Sequence, residues 1–201
     1  MFSAALTIVL ICGALVASGQ QDSPASPSGD KQLGTSQFST ITVGDKVPDF
    51  TLYDLHGSPV KLSQLQKDVE RNKTGVVALS FWCSLCVSCR KVEHSLNQLA
   101  KDYEGRAAIV ALGADVRETA ETAAAFAKEV GLTLPIFLDP SGVTMDLFAN
   151  DLTTTTVLID SDGILRYTGR FSQGERAYAS DALNAVLAGR EVSVKTTRPS
   201  G

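Results

Sequence analysis

Three of the four cysteines, Cys83, Cys86 and Cys89, fall within seven positions of a 201-residue chain. Thiols at i and i+3 can close on one another across one turn of helix without rebuilding the backbone, so the spacing suits reversible disulfide chemistry. Where such a pair follows a buried strand, the first sulfur stands at the amino end of the next helix. Unpaired N–H groups and the helix dipole favour an anion there. On that reading Cys86 is the thiolate that attacks a disulfide and Cys89 the thiol that resolves the mixed disulfide. A zinc knuckle would need further ligands, and the two histidines, His56 and His94, do not stand at ligand spacing. The run Cys83-x-x-Cys86-x-x-Cys89 also matches part of an iron–sulfur motif but lacks its fourth cysteine. No metal and no dissociable cofactor is expected, because the thiols carry both electrons. Cys83 is read as a small buried hydrophobe in preference to a third exchanging thiol, the other use open to it.

The elements that position these thiols can be read on either side of them. Val76 to Trp82 is a continuous apolar run, expected as a strand buried on both faces. Val92, Leu96, Leu99 and Ala100 recur at helical spacing, and Ala107 to Leu112 is a second buried strand, so the cysteines sit at a strand-to-helix junction inside a βαβ unit. Upstream, the alternation Phe50 to Tyr53, a turn at His56-Gly57 and the segment Val60 to Leu62 predict a hairpin, with a short helix over Ser63 to Gln66. Downstream the pattern predicts a helix from Glu118 to Val130 stopped by Gly131, a strand at Pro135 to Leu138 and a short helix at Val143 to Phe148. A strand at Thr155 to Ile159, a turn at Ser161-Asp162-Gly163, a strand at Ile164 to Tyr167 and a helix at Arg176 to Leu187 follow.

Composition sets the boundaries. Residues 1–19 are uncharged, with an apolar run from Ala4 to Val16 followed by small residues, and are expected as a secretory signal peptide; an uncleaved membrane anchor is the alternative. Cys12 is read as part of that run. Residues 20–40 are polar and rich in Pro, Ser and Gly, unable to offset the entropy of ordering, and are expected as a disordered linker. The folded domain is expected at 41–190 and a flexible tail at 191–201. With 44% hydrophobic residues the chain can bury one core, and 18 Lys and Arg against 22 Asp and Glu, a net charge of −4, argue against nucleic acid as a partner. Oligomeric state is left open.

The segment Phe81-Trp82-Cys83-Ser84-Leu85-Cys86-Val87-Ser88-Cys89-Arg90-Lys91 resembles the strand-to-CxxC segment of thioredoxin-fold thiol-disulfide oxidoreductases. It is most similar to the secreted TlpA-like branch of the alkyl hydroperoxide reductase and thiol-specific antioxidant superfamily, the redoxins. Val43 to Leu52 with His56-Gly57 resembles that superfamily's N-terminal hairpin, and Phe126 to Leu132, Phe137-Leu138-Asp139 and Thr155 to Gly163 resemble its central insertion and the strand after it. The resemblance spans Ile41 to Leu187. It implies an α/β, thioredoxin-like fold: a central mixed β-sheet flanked by helices, with an N-terminal β-hairpin and a helix–strand insertion between Gly113 and Phe137. It further implies an exported enzyme, periplasmic or secreted, that exchanges disulfides with protein thiols and, if it acts as a reductase, is recharged by a membrane electron donor.

Two other functions stand beside that one. A thiol peroxidase of the same superfamily would present Pro-x-x-x-Thr/Ser-x-x-Cys, but Val76 stands at the proline position before Ser80 and Cys83, and Thr154 where an activating Arg is expected. A copper-handling thioredoxin fold would present Cys-x-x-x-Cys with a distant His, a pattern this chain does not carry. Within the leading family the departures are specific. Thr154 replaces the proline that usually faces the CxxC, Leu85 replaces a Trp, and His94 stands where a Pro is common. Ser80 and Val92 occupy the two positions at which relatives place a proton-relaying acid. Glu93, one residue past Val92 and so rotated by about 100° on a helix, is expected on the solvated face. Trp82, Glu93 and Thr154 are therefore the positions at which the couple could be tuned.

Overall fold

The alternation in β1 (Thr51–Asp54) and β2 (Pro59–Lys61) pairs them as the antiparallel hairpin expected from the sequence, and α1 (Leu62–Lys67) follows directly. The computed structural model describes residues 39–198, so the expected signal peptide and nearly all of the expected linker lie outside the described residues. Beyond α1 come β3 (Val77–Trp82), one 3-10 turn (Cys89–Lys91), α2 (Glu93–Asp102) and β4 (Ala108–Gly113). Then follow α3 (Ala120–Val130), β5 (Ile136–Leu138), α4 (Val143–Leu147), β6 (Thr155–Ile159), β7 (Leu165–Arg170) and α5 (Tyr178–Leu187). Among the described residues no helix is long and apolar enough to cross a membrane.

The seven strands form one mixed sheet in the order β2-β1-β5-β4-β3-β6-β7. β3 runs parallel to β4, from Val77 opposite Ala108 to Trp82 opposite Gly113, and antiparallel to β6. All six residues of β3 are buried, as its apolar run requires of a central strand. Val77, Leu79 and Phe81 point to one face, into a core with Phe50, Leu52, Leu147 and Phe148. Ala78 and Trp82 point to the other, into a core with Leu96, Leu99, Phe126 and Leu183. The insertion is α3 and β5. β5 slots between β4 and β1, parallel to the first and antiparallel to the second, which joins the hairpin to the main sheet. Thr119 caps α3 by accepting the Thr122 N–H at 3.2 Å, and Gly131 ends the helix in the left-handed conformation at φ 71°.

The carboxyl-terminal stretch differs from the expected tail. Val192 is buried, and Thr196 bridges Thr168 in parallel fashion. The Thr168 N–H donates to the Lys195 carbonyl at 3.1 Å and the Thr197 N–H to the Thr168 carbonyl at 3.2 Å. The strap satisfies donors and acceptors along β7, which would otherwise be an open sheet edge. Gly169, at φ 153°, makes the approach possible: a Cβ there would stand 2.1 Å from Thr197 Oγ1 and 2.7 Å from its backbone N and O. Gly169→Ala is expected to push the strap off β7 and cost about 1–3 kcal/mol of stability, the usual range for overpacking. Hydrogen exchange checks it: the amides of Thr168 and Thr197 should lose protection while those of β3 and β4 keep theirs.

Candidate active site

β3 delivers the cysteines to the carboxyl end of the sheet, but the turn after it is wound more tightly than expected. The Cys86, Cys89 and Val92 N–H groups donate to the carbonyls of Cys83, Cys86 and Cys89, all i→i−3, and regular α-helix begins only at Glu93. The expectation that Cys86 opens an α-helix is thereby corrected. The macrodipole of α2 starts seven residues later, and the effect falls off within a turn. What reaches the Cys86 sulfur is local: the Cys89 N–H points at it from 3.3 Å.

The two thiols of the pair differ in environment. Cys86 is partly exposed and Cys89 is completely buried. Burial opposes ionisation of Cys86. Hydrogen bonds from the Thr153 hydroxyl, the Cys89 thiol and the backbone N–H groups of Cys89 and Ser88 outweigh it, and the thiol lies below its ordinary value of 9.0. Cys89 is pushed up to about 12, by burial first and then by the neighbouring Cys86 sulfur. Cys83 is buried and pushed up to about 11, again by burial first, with the carboxylates of Glu118 and Asp115 adding to it. Its Sγ stands 3.8 Å from Asp115 Oδ2, and Asp115 is itself held down at about 2 by Arg117, which bonds it through both side chain and backbone.

The segment before β6 closes the other side of the site. Thr154 is buried, at φ 70° with no cis peptide bond among the described residues; its N–H donates to the Phe81 carbonyl at 2.8 Å. The side chain that touches the Cys86 sulfur is its neighbour: Thr153 Oγ1 lies 2.9 Å from Cys86 Sγ. A hydrogen bond to a charged partner contributes about 1.5–3 kcal/mol. Thr153→Val is therefore expected to slow iodoacetamide alkylation of Cys86 at pH 7.5 roughly tenfold or more. Among the three described cysteines of the unsubstituted protein, alkylation should mark Cys86 alone near neutral pH and reach Cys83 and Cys89 only in strongly alkaline solution, which peptide mapping across a pH series would show.

Glu93 is not the surface charge that its sequence position suggests. It is buried, 7% exposed, and accepts a hydrogen bond from the Trp82 indole N–H at 3.1 Å. The i→i−3 bonds ahead of α2 leave Val92 outside the helix, so the step of about 100° counted from Val92 to Glu93 on a continuous helix does not apply. Trp82 is 1% exposed and lies against Phe126 with ring centroids 5.7 Å apart, while Arg90 covers the other ring at 5.0 Å. His94 is exposed. Ser80 is buried and bonded to Thr156 at 3.1 Å. Around Cys86 a groove of about 410 Å³ is lined by Leu85, Val116, Met145, Leu152 and Thr153 among others, and Leu85 and Val116 are 59% and 84% exposed. A larger cavity, about 630 Å³ between Asp160, Arg166 and Arg190, holds none of the cysteines.

Three residues of the site escaped the sequence reading. Thr153 carries no sequence signal of its own beside the departure at Thr154, and only the fold brings its hydroxyl to Cys86. Asp115 and Glu118 sit in the loop between β4 and α3, because the helix expected from Glu118 begins only at Ala120, with Thr119 as its cap.

The comparisons with known proteins agree with this geometry. The AhpC/TSA family profile matches residues 43–168. The thioredoxin-like protein YneN of Bacillus subtilis is 32% identical over 127 residues, 63% of this chain and 70% of that one. The thiol-disulfide oxidoreductase ResA of Geobacillus thermodenitrificans is 30% identical over 128 residues, 64% and 69% of the two chains. Among solved structures, a candidate thiol:disulfide interchange protein DsbE from Chlorobium tepidum superposes with a TM-score of 0.61 at 29% identity, covering 74% of this chain and 99% of that one. The chain belongs to the AhpC/TSA family, as a thioredoxin-fold thiol-disulfide oxidoreductase.

Proposed function

We propose that the protein exchanges disulfides with other polypeptides through Cys86 and Cys89. The observation that carries the reading is the asymmetry of the pair: one sulfur faces the groove with three kinds of donor around it, and its neighbour is buried and held as a thiol. The Cys86 thiolate attacks one sulfur of a substrate disulfide, forming a mixed disulfide and releasing the first substrate thiolate. Cys89 then loses its proton and attacks the Cys86 sulfur, which releases the second substrate thiolate and leaves a Cys86–Cys89 disulfide. The substrate is reduced by two electrons and the protein oxidised by two; the reverse sequence oxidises a dithiol.

The exposed apolar rim formed by Leu85, Val87 and Val116 supports a polypeptide substrate, whose side chains can cover it. Export is supported by the composition of residues 1–19, and an exported reductase would draw its electrons from a membrane donor. The test equilibrates the purified full chain across glutathione and dithiothreitol redox buffers, alkylates the remaining thiols and maps the protected cysteines by mass spectrometry. A single reversible Cys86–Cys89 couple is expected. No reversible disulfide, or one running through Cys83, would overturn the mechanism. Amino-terminal sequencing of the mature protein from cell fractions tests export.

A further inference from the structure

A third thiol so close to a reactive one invites exchange, and something must decide which neighbour Cys86 closes on. Cys83 and Cys89 are both three residues away from it, and both are buried. Their surroundings differ. Cys89 has the Thr153 hydroxyl beside it, while its own N–H donates to the Cys86 sulfur. Cys83 faces acceptors: Asp115 Oδ2 is 3.8 Å from its sulfur, and the charge of the Glu118 carboxylate, which is bonded to the next residue Ser84, adds to it.

Glu118 is the member of this group with the most contacts. It is buried, 8% exposed, in the loop ahead of α3, and every contact it makes is with a donor, as a carboxylate requires. The Ser84 N–H donates to Oε2 at 2.6 Å, the Ser84 hydroxyl to Oε1 at 2.9 Å, and the Thr122 hydroxyl to Oε1 at 2.6 Å. Ser84 is the residue between Cys83 and the nucleophilic turn. Gripping both its N–H and its hydroxyl fixes the backbone on which the Cys83 side chain is hung. Gly113 leaves the room for it, since a Cβ there would stand 3.2 Å from Glu118 Cγ.

We infer that Glu118 is a positioning residue that keeps Cys83 out of the exchange: it fixes Ser84 and sets a carboxylate beside the Cys83 thiol, so that Cys86 closes on Cys89 alone. The inference rests on the Cys86–Cys89 couple proposed above. In the excluded reaction Cys83 would lose its proton and attack the Cys86 sulfur of the mixed disulfide in place of Cys89, releasing the same substrate thiolate. Developing negative charge on Cys83 against two carboxylates opposes that step, whereas Cys89, though deeply buried, has the Thr153 hydroxyl beside it and is relieved of the Cys86 charge once that sulfur is bonded to substrate.

The experiment oxidises the full chain and its Glu118→Gln variant with glutathione disulfide, quenches with acid, and quantifies disulfide-linked peptides; in parallel it measures the alkylation rate of Cys83 at pH 8.5. In the unsubstituted protein only the Cys86–Cys89 link is expected. In Glu118→Gln a Cys83–Cys86 link should appear as a tenth or more of the product, and Cys83 alkylation should rise severalfold. Adding Cys83→Ser should return the variant to one couple. Ser84→Ala, which keeps the backbone bond and removes the hydroxyl, should move Cys83 in the same direction by less and serves if Glu118→Gln does not fold. A normal couple in the unsubstituted protein with unchanged pairing and alkylation in the variant would overturn this inference alone. Failure of the unsubstituted protein to close Cys86 on Cys89 would overturn the proposed function and this inference with it.

Discussion

Cys86→Ser is expected to abolish disulfide exchange, while Cys89→Ser should leave the first attack intact and stall after it. The difference follows from the depth of the two sulfurs. Cys86 is the thiol of the pair that the groove exposes, and its neighbours hold it below 9.0, so replacing it removes the only sulfur of the pair that a substrate can reach as an anion. A serine hydroxyl in its place is not ionised at any pH the fold tolerates, and turnover should fall to the uncatalysed background. Cys89 is inaccessible from outside, so in the proposed mechanism its task is intramolecular. Without it the Cys86 mixed disulfide has no resolving thiol at hand and accumulates. A reductase assay on a model protein disulfide, paired with non-reducing electrophoresis of the Cys89→Ser reaction, reads both effects. Retained turnover in Cys86→Ser would assign the nucleophile elsewhere. Absence of trapped complexes in Cys89→Ser would mean that the mixed disulfide is resolved by another thiol, and Cys83 is the one within three residues.

What the sequence shows and what it hides at this site divide along a physical line. The β3 strand announces itself because a central strand must be apolar on both faces, and Val77 to Trp82 has no other home. The insertion is legible for a similar reason: α3 carries its buried residues Ala123, Phe126 and Ala127 on one face, and Gly131 ends it where a left-handed residue is needed. Cys86 and Cys89 follow from their spacing at the end of such a strand. Glu93 does not, because whether a helical carboxylate is buried depends on where helical winding begins. A run of i→i−3 bonds between Cys83 and Val92 leaves Val92 outside the helix. Thr153 and Glu118 are hidden for another reason. They come from loops 67 and 32 residues away from Cys86 in the chain, and no local pattern encodes which loop side chain will face a sulfur across the sheet. The strap at 192–198 was hidden in the same way, since polar residues alone do not reveal that a neighbouring edge strand carries a glycine at the point of approach.

The burial of Glu93 leads to the largest expected stability effect in the molecule. Trp82 ends β3 and Glu93 begins α2, so the indole-to-carboxylate bond at 3.1 Å ties the two ends of the cysteine turn together from beneath. Trp82→Ala removes a side chain that is 1% exposed and packed at a tilt against Phe126; large-to-small changes of this kind cost about 3–5 kcal/mol. It also leaves a buried carboxylate without its donor, a further loss of about 1–3 kcal/mol. Against the roughly 5–15 kcal/mol of a typical domain, the variant should be marginal or unfolded at 25 °C. Trp82→Phe separates the two contributions, because it keeps an aromatic ring against Phe126 and removes only the N–H and part of the volume. Denaturant unfolding should show a loss of about 1–3 kcal/mol for Trp82→Phe with an unchanged denaturant slope. Combining it with Glu93→Met, which replaces the stranded acceptor by an apolar group of similar length, should recover part of that loss, since removing both partners of a buried bond costs less than removing one. If Trp82→Phe alone costs under about 0.5 kcal/mol, or if Glu93→Met worsens it additively, the bond between them does not brace the turn, and the cysteine loop must be held by Glu118 and Ser84 instead.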